Sequence, residues 1–276
     1  MPIVEPNCGT PRVLFRPDDG DDEYFPESSE RNPDAGMTLI VDDLPVAHLF
    51  TRYPSRMKSA SLRRLATLLD ASRPVGDPVT VLHAGAGALT LARHIAATRP
   101  DSIQVAIDDR AEVTEVVLAQ YPLPQDAQLT VIRGNLSSAL DTVAQWAWYD
   151  YVVIDLQASP LMLDAAPRAD AVHNDYHTPR LAHLFADCSP LLGTTGNLAV
   201  LLPCHLTDEF VHTVADAMVV AGLDVALLSG KEPATGAVVA LGKARTRRRL
   251  GPIEEAAFGR LGPRTTVTLY PTEITI

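Results

Sequence analysis

Residues 79–98 read VTVLHAGAGALTLARHIAAT, and this stretch decides the fold. Val79 to Leu82 are apolar or β-branched and read as a buried strand. Glycines follow at Gly85 and Gly87, and then Leu89, Leu91, Ile95 and Ala96 recur at helical spacing. Strand, glycine turn and helix together open a nucleotide-binding α/β unit. The glycines let backbone approach a ligand closely, and the helix N-terminus offers unpaired N–H groups to its polar atoms.

Outward from this unit the chain keeps alternating. Further strands are expected at 103–107, 129–132, 151–154 and 197–202, with helices at 112–120, 138–146, 180–188 and 207–221 between and after them. Segments 225–228 and 237–241 read as a closing antiparallel pair. Alternation of this kind predicts an α/β fold built on a mostly parallel sheet with helices on both faces. The turn Gly85-Ala86-Gly87-Ala88-Leu89-Thr90 lacks the third glycine of a dinucleotide fingerprint. The closing pair after a long helix favours a seven-stranded, methyltransferase-type Rossmann-like sheet instead.

Upstream, residues 38–41 and 46–50 read as a small β-hairpin around Asp42-Asp43. Residues 59–69 form an amphipathic helix with Leu62, Leu65, Ala66 and Leu69 on one face and Arg63 and Arg64 on the other. Before the hairpin, eight acidic residues stand against one arginine between Asp18 and Asp34, too polar to offset its ordering entropy. After Lys243 come Arg245, Arg247, Arg248 and Arg249, read as a solvated basic linker, then a helix-like 251–261 and a strand-like 265–270. The expected organisation is a disordered acidic tail at 1–36, hairpin and helix at 37–72, a nucleoside-binding domain at 73–244 and an extension at 245–276.

A net charge of −11 argues against nonspecific nucleic-acid binding, which needs a basic surface. Cys8, Cys188 and Cys204 form no CxxC pair, so reduced thiols in a cytoplasmic protein are expected, with Cys188 and Cys204 as small buried hydrophobes. There is no signal-peptide pattern, and no apolar run reaches the ~18 residues of a membrane span. His173 and His177, with Asp170 and Asp175 nearby, lack a third-ligand motif, so no metal is expected. Trp146 and Trp148 are expected to be packing residues, and Ser159 has no nucleophile-elbow context.

Ligands of open parallel sheets bind outside the carboxyl ends of the strands. Those ends carry His83 to Gly87, Asp108-Asp109, Gly134-Asn135 and Asp155 to Ser159. A carboxylate after the second strand of the unit, Asp108 or Asp109, suits ribose hydroxyls because it accepts two hydrogen bonds at once, and the Asn135 amide can pair with an adenine edge. The candidate cofactor-binding residues are therefore Gly85, Gly87, Asp108, Asp109, Asn135 and Asp155. Each is also a common turn or cap residue, and only their joint placement carries the reading.

The order of segments resembles the spermidine synthase (polyamine aminopropyltransferase) family, in particular its spermidine synthase-like branch in actinobacteria. The matching segments are TLIVDDLPVAH, AGAGALTLARH, AIDDRAEV, VIRGNLSSAL, YDYVVIDLQASP and SPLLGTTGNLAVLL, spanning residues 37–243. The resemblance implies S-adenosylmethionine or its decarboxylated form as ligand or co-substrate, a polyamine acceptor, no metal, and a homodimer or higher homo-oligomer. It also implies departures. The family's G-G-G-D-G loop places Gly87 where its aspartate stands, and the Glu of E-I-D falls at Ala106, although Asp108 remains. Its G-D becomes Gly134-Asn135, and a hairpin Gln falls near Val46. Its catalytic D-S-S-D-P keeps the first Asp as Asp155, while the second, which deprotonates the attacking amine, falls at Ala158 or Ser159. Three readings follow: a spermidine synthase-like nucleoside binder with aminopropyl transfer lost or altered and Asp155 as the remaining catalytic group; a small-molecule methyltransferase; or a non-catalytic scaffold.

Overall fold

In a computed structural model, residues 11–17, 36–124, 126–145, 148–156, 177–202, 208–230, 238–244, 260–261 and 265–269 are described. The strand read from Val79 is β4 (Thr80–Ala84), and the helix after its glycines is α2 (Thr90–Thr98). Before them lie β1 (Val13–Pro17), β2 (Met37–Val41), β3 (Leu44–Leu49) and α1 (Ala60–Ser72). After them come β5 (Ile103–Asp108), α3 (Ala111–Gln120), β6 (Gln128–Arg133), α4 (Leu136–Val143) and β7 (Tyr149–Asp155). The chain continues through α5 (His177–Cys188), β8 (Leu192–Leu202), α6 (Asp208–Val220), β9 (Leu223–Gly230), β10 (Val238–Ala244) and β11 (Thr265–Leu269).

The main sheet runs β11-β9-β10-β8-β7-β4-β5-β6. From β6 to β8 every pairing is parallel, and β10 is antiparallel to both of its neighbours. The fold is thus a mixed α/β sheet of methyltransferase-like Rossmann type. It has eight strands where the sequence reading expected seven, because TTVTL adds β11 antiparallel to the outside of β9. Strand alternation sorts the core into two layers. Leu82, Ala84, Val152, Ile154, Leu198 and Val200 pack beneath α4, α5 and α6, while Val79, Val81, Tyr151, Val153, Ala199 and Leu201 pack beneath α1 and α2.

The expected hairpin is present as β2 and β3, and its turn residues Asp42 (φ 50°) and Asp43 (φ 65°) supply the paired positive φ values of a tight hairpin turn. It is part of a three-stranded sheet, since Val13–Pro17 pairs antiparallel with β2. Residues 13–17, expected in the disordered tail, thus form a paired strand. Its alternating Val13 and Phe15 pack against Leu39 and Val41, and Phe15 meets Tyr121 edge-on at 4.8 Å.

Other differences are local. Asn135 caps α4 by accepting the Ser138 N–H at 2.9 Å, so that helix begins at Leu136 and ends at Val143, earlier than expected. Trp148 is 78 % exposed, not a packing residue. Cys188 is fully buried, and burial pushes its thiol up to about 12. Trp146, Cys204, His173, the arginine cluster and the helix-like 251–259 lie outside the described residues.

Candidate functional site

The C-terminal ends of β4, β5, β6 and β7 stand side by side in register. Ala84 pairs with Ile107 and with Ile154, and Asp108 pairs with Arg133. One residue beyond those pairs, Gly85, Asp108 and Asp155 share a level, with Gly134-Asn135 beside them. The rim expected from the sequence is therefore continuous along four neighbouring strands. By alternation Asp108 follows Gln104 and Ala106, and Asp155 follows Tyr151 and Val153, so both carboxylates lie on the face that carries α1, α2 and α3.

The glycine turn is fastened from several sides. Gly85 N–H donates to Ile107 O at 2.9 Å, which stitches the turn to β5. Gly85 (φ 93°) and Gly87 (φ 53°) take left-handed backbone without strain, and Leu89 (φ 55°) takes it despite a side chain. Leu89 is 2 % exposed and packs with Ala86, Ala92 and Ala106, against Leu118, Leu129 and Val131. The Ala106 position, where the resemblance puts a ribose-binding glutamate, thus packs in a small apolar cluster, with His83 as its register partner on β4. The first residue of α2, Thr90, donates its hydroxyl to His48 O at 2.5 Å, so β3 crosses the helix start. Leu39, Val41 and Leu49 of the small sheet pack with Ala88, Val113 and Val117.

Asp108 is 3 % exposed. One carboxylate oxygen accepts the Arg110 N–H at 2.9 Å and the other accepts the Thr114 hydroxyl of α3. Its backbone oxygen accepts Gly134 N–H at 3.0 Å. Burial raises its pKa, with hydrogen bonds from Thr114 and Arg110 opposing and the charge of Asp109 adding. Asp108 therefore pins the β5–α3 turn, a structural role that competes with the ribose role expected of it. Asp109, Asn135 and Asp155 are all half-buried. Arg133 and Glu112 form an ion pair from the end of β6 to the first turn of α3. Gln157 to Ser159, like the rest of residues 157–176, lie outside the described residues. Among the described residues no His, Cys, Asp and Glu group is placed to hold a metal ion. Among them, too, no helix is long and apolar enough to cross a membrane.

The sequence reading missed Arg93. This guanidinium, 5 % exposed, donates from Nε to Ala88 O at 3.2 Å, from Nη1 to Pro122 O at 3.2 Å, and from Nη2 to Tyr121 O. It clamps the glycine turn to the C-terminus of α3, and burial brings its pKa down to about 10. The only sequence signal is one arginine inside the apolar run LTLARHIAA.

No protein-family model matches the chain, and no curated protein sequence matches it. Solved structures do. A probable spermidine synthase from Corynebacterium glutamicum superposes with a TM-score of 0.62 at 16% identity, over 88% of this chain and 86% of that one. Human methyltransferase-like protein 13, solved with SAH, superposes with a TM-score of 0.50 at 14% identity, over 73% of this chain and 88% of the other. At these identities the likeness is one of fold.

Proposed function

We propose that the chain binds an S-adenosyl-type nucleoside at the rim formed by Gly85, Gly87, Asp108, Asp109, Asn135 and Asp155. The observation that supports this most is the register that brings four strand ends to one level beside a glycine turn. A spermidine synthase and a SAH-bound methyltransferase among the fold neighbours point to the same ligand class. S-adenosylmethionine and its decarboxylated form are the candidate ligands, held through backbone N–H groups of the turn and the half-buried Asp155 and Asn135.

Aminopropyl transfer in its ordinary form is lost or altered on this reading. The reaction breaks an S–C bond of the sulfonium, forms a C–N bond to a neutral amine, and needs a base for the released proton. General-base help is worth roughly 10²–10⁴ in rate. Gly87 and Ala106 supply no carboxylate, and the expected base position falls at Ala158 or Ser159. Asp155 is the one acidic group left at the end of β7 to serve as a catalytic residue.

A methyltransferase reading needs no such base where proximity supplies the rate. The scaffold reading draws support from the apolar packing of Leu89 and Ala106. Calorimetric titration with S-adenosylmethionine, decarboxylated S-adenosylmethionine and methylthioadenosine tests all three. Binding of at least one is expected, and absence of heat with every one at millimolar concentration removes the nucleoside claim. Adding putrescine with the decarboxylated ligand should yield little or no spermidine. Assembly as a homodimer or higher homo-oligomer is part of the proposal, checked by sedimentation.

A further inference from the structure

At the edge of the sheet opposite the rim, where β4, β5, β7 and β8 begin, a cleft of about 590 Å³ opens. Its lining includes Arg73, Thr80, Asp101, Trp148, Asp150 and Thr195. Such a volume lies within the ~300–1,000 Å³ of small-molecule sites. The Trp148 side chain, 78 % exposed, stands at its lip, with Ile103, 43 % exposed, as a second apolar contact.

The charge of the cleft has a definite sign. Arg73 reaches Asp150 Oδ1 at 2.6 Å, and Asp150 Oδ2 accepts the Thr80 N–H at 2.9 Å, so that pair neutralises itself. Asp101 is exposed, held at φ 63°, and forms no ion pair among the described residues. The lining segments also leave helix C-termini. Asp101 follows α2, Trp148 follows α4, and Leu192 follows α5 through the turn Ser189–Leu191. None of these helices has a basic residue in its last turn, and Arg99 at the C-cap of α2 is paired with Asp70. The carbonyl ends of their dipoles add negative potential at this edge, which favours cations. An exposed indole and an exposed carboxylate line the same cleft from the two strands that flank β4, so an organic cation can set its apolar portion on the one and its charge toward the other.

We propose that this cleft is a second ligand site, separate from the nucleoside rim, and that it takes a small organic cation, an ammonium or quaternary ammonium compound with an apolar portion. The apolar portion lies against Trp148, and the charge is balanced by Asp101.

Calorimetric titration of the full chain with benzyltrimethylammonium tests it, with benzyl alcohol and benzoate as neutral and anionic counterparts. Saturable binding of the cation is expected, tighter than that of either counterpart. Trp148→Ala and Asp101→Asn should each weaken it about 2- to 5-fold, the size of a partly exposed apolar contact or an exposed ion contact. Both residues are exposed, so folding is preserved and is checked by circular dichroism. Val220→Ser, at an exposed position of α6, should bind as the parent does. The proposal fails if no saturable binding occurs up to about 10 mM. It also fails if benzoate or benzyl alcohol binds as well, or if either cleft variant keeps the parent affinity.

Discussion

Arg99 Nη2 lies 2.8 Å from Asp70 Oδ1, and the arginine side chain is fully buried. This contact ties the end of α2 to the last turn of α1. The same guanidinium donates to Pro74 O at 2.7 Å, to Asp77 O at 2.9 Å and to Arg73 O at 2.9 Å. The proline-rich linker between α1 and β4 is therefore wrapped around one charge. Asp70 stays partly solvated, at 36 % exposed, but each buried carbonyl left without its donor costs about 1–3 kcal/mol. Arg99→Met should lower the unfolding free energy by that order in urea denaturation. Asp70→Asn should cost less, because its amide oxygen and the backbone carbonyls still accept. A parental urea midpoint for Arg99→Met would show the clasp to be dispensable.

His83 gives the fold a pH dependence. Its Nε2 lies 2.9 Å from Gln104 Oε1 in the interior, and burial lowers its pKa to about 4 from 6.5, the Gln104 bond opposing. Between those values the unfolded chain binds a proton that the folded chain does not. This contribution is complete above pH 6.5, is lost as pH falls, and is gone below about 4. The full difference is about 3 kcal/mol. The double variant His83→Leu with Gln104→Leu removes both polar partners together and should flatten the stability profile across that window. An unchanged slope from urea midpoints at several pH values would assign the acid sensitivity elsewhere.

Patterns tied to backbone chemistry were legible in the sequence. The glycines after Leu82, the alternation of apolar runs and the Asp42-Asp43 turn located the sheet, its switch from strand to helix and the hairpin. What escaped was decided by partners distant in sequence. Val13–Pro17 becomes a strand because β2 offers it an edge, and Arg93 and Arg99 are buried because carbonyls from other segments surround them. The placement of Asp108 and Asp155 on one rim followed from strand ends. The engagement of Asp108 with Thr114 did not, since a carboxylate before a helix reads equally as cap or ligand.

Leu89 sets two effects against each other. Left-handed backbone costs a leucine roughly 1–2 kcal/mol, which glycine would not incur. Its buried side chain, though, is worth about 2–5 kcal/mol by the scale of leucine truncations. Burial wins, so Leu89→Gly should destabilise by about 1–3 kcal/mol. Leu89→Ala loses the packing and keeps most of the strain, and should be less stable than Leu89→Gly. The reverse order in thermal melts would mean that the turn relaxes out of its left-handed conformation when the side chain is removed.

The two rim carboxylates should separate under mutation, because their surroundings differ. Asp108 is 3 % exposed and accepts from Arg110 N–H and Thr114, so Asp108→Ala leaves both donors without it. Hydrogen bonds to a charged group are worth about 1.5–3 kcal/mol each, and a loss of at least that size is expected in unfolding free energy. Thr114→Val should reproduce about half of it. Asp155 is half-buried at the open end of β7, and Asp155→Asn keeps its shape. Its stability should stay within about 1 kcal/mol of the parent. Nucleoside affinity should instead fall about 5-fold or more, the loss expected when a charge-assisted hydrogen bond to the ligand weakens by ~1 kcal/mol. Paired melts and titrations on the two variants read this out. Equal stability losses at both positions, with no change in ligand affinity for Asp155→Asn, would make the rim a structural edge.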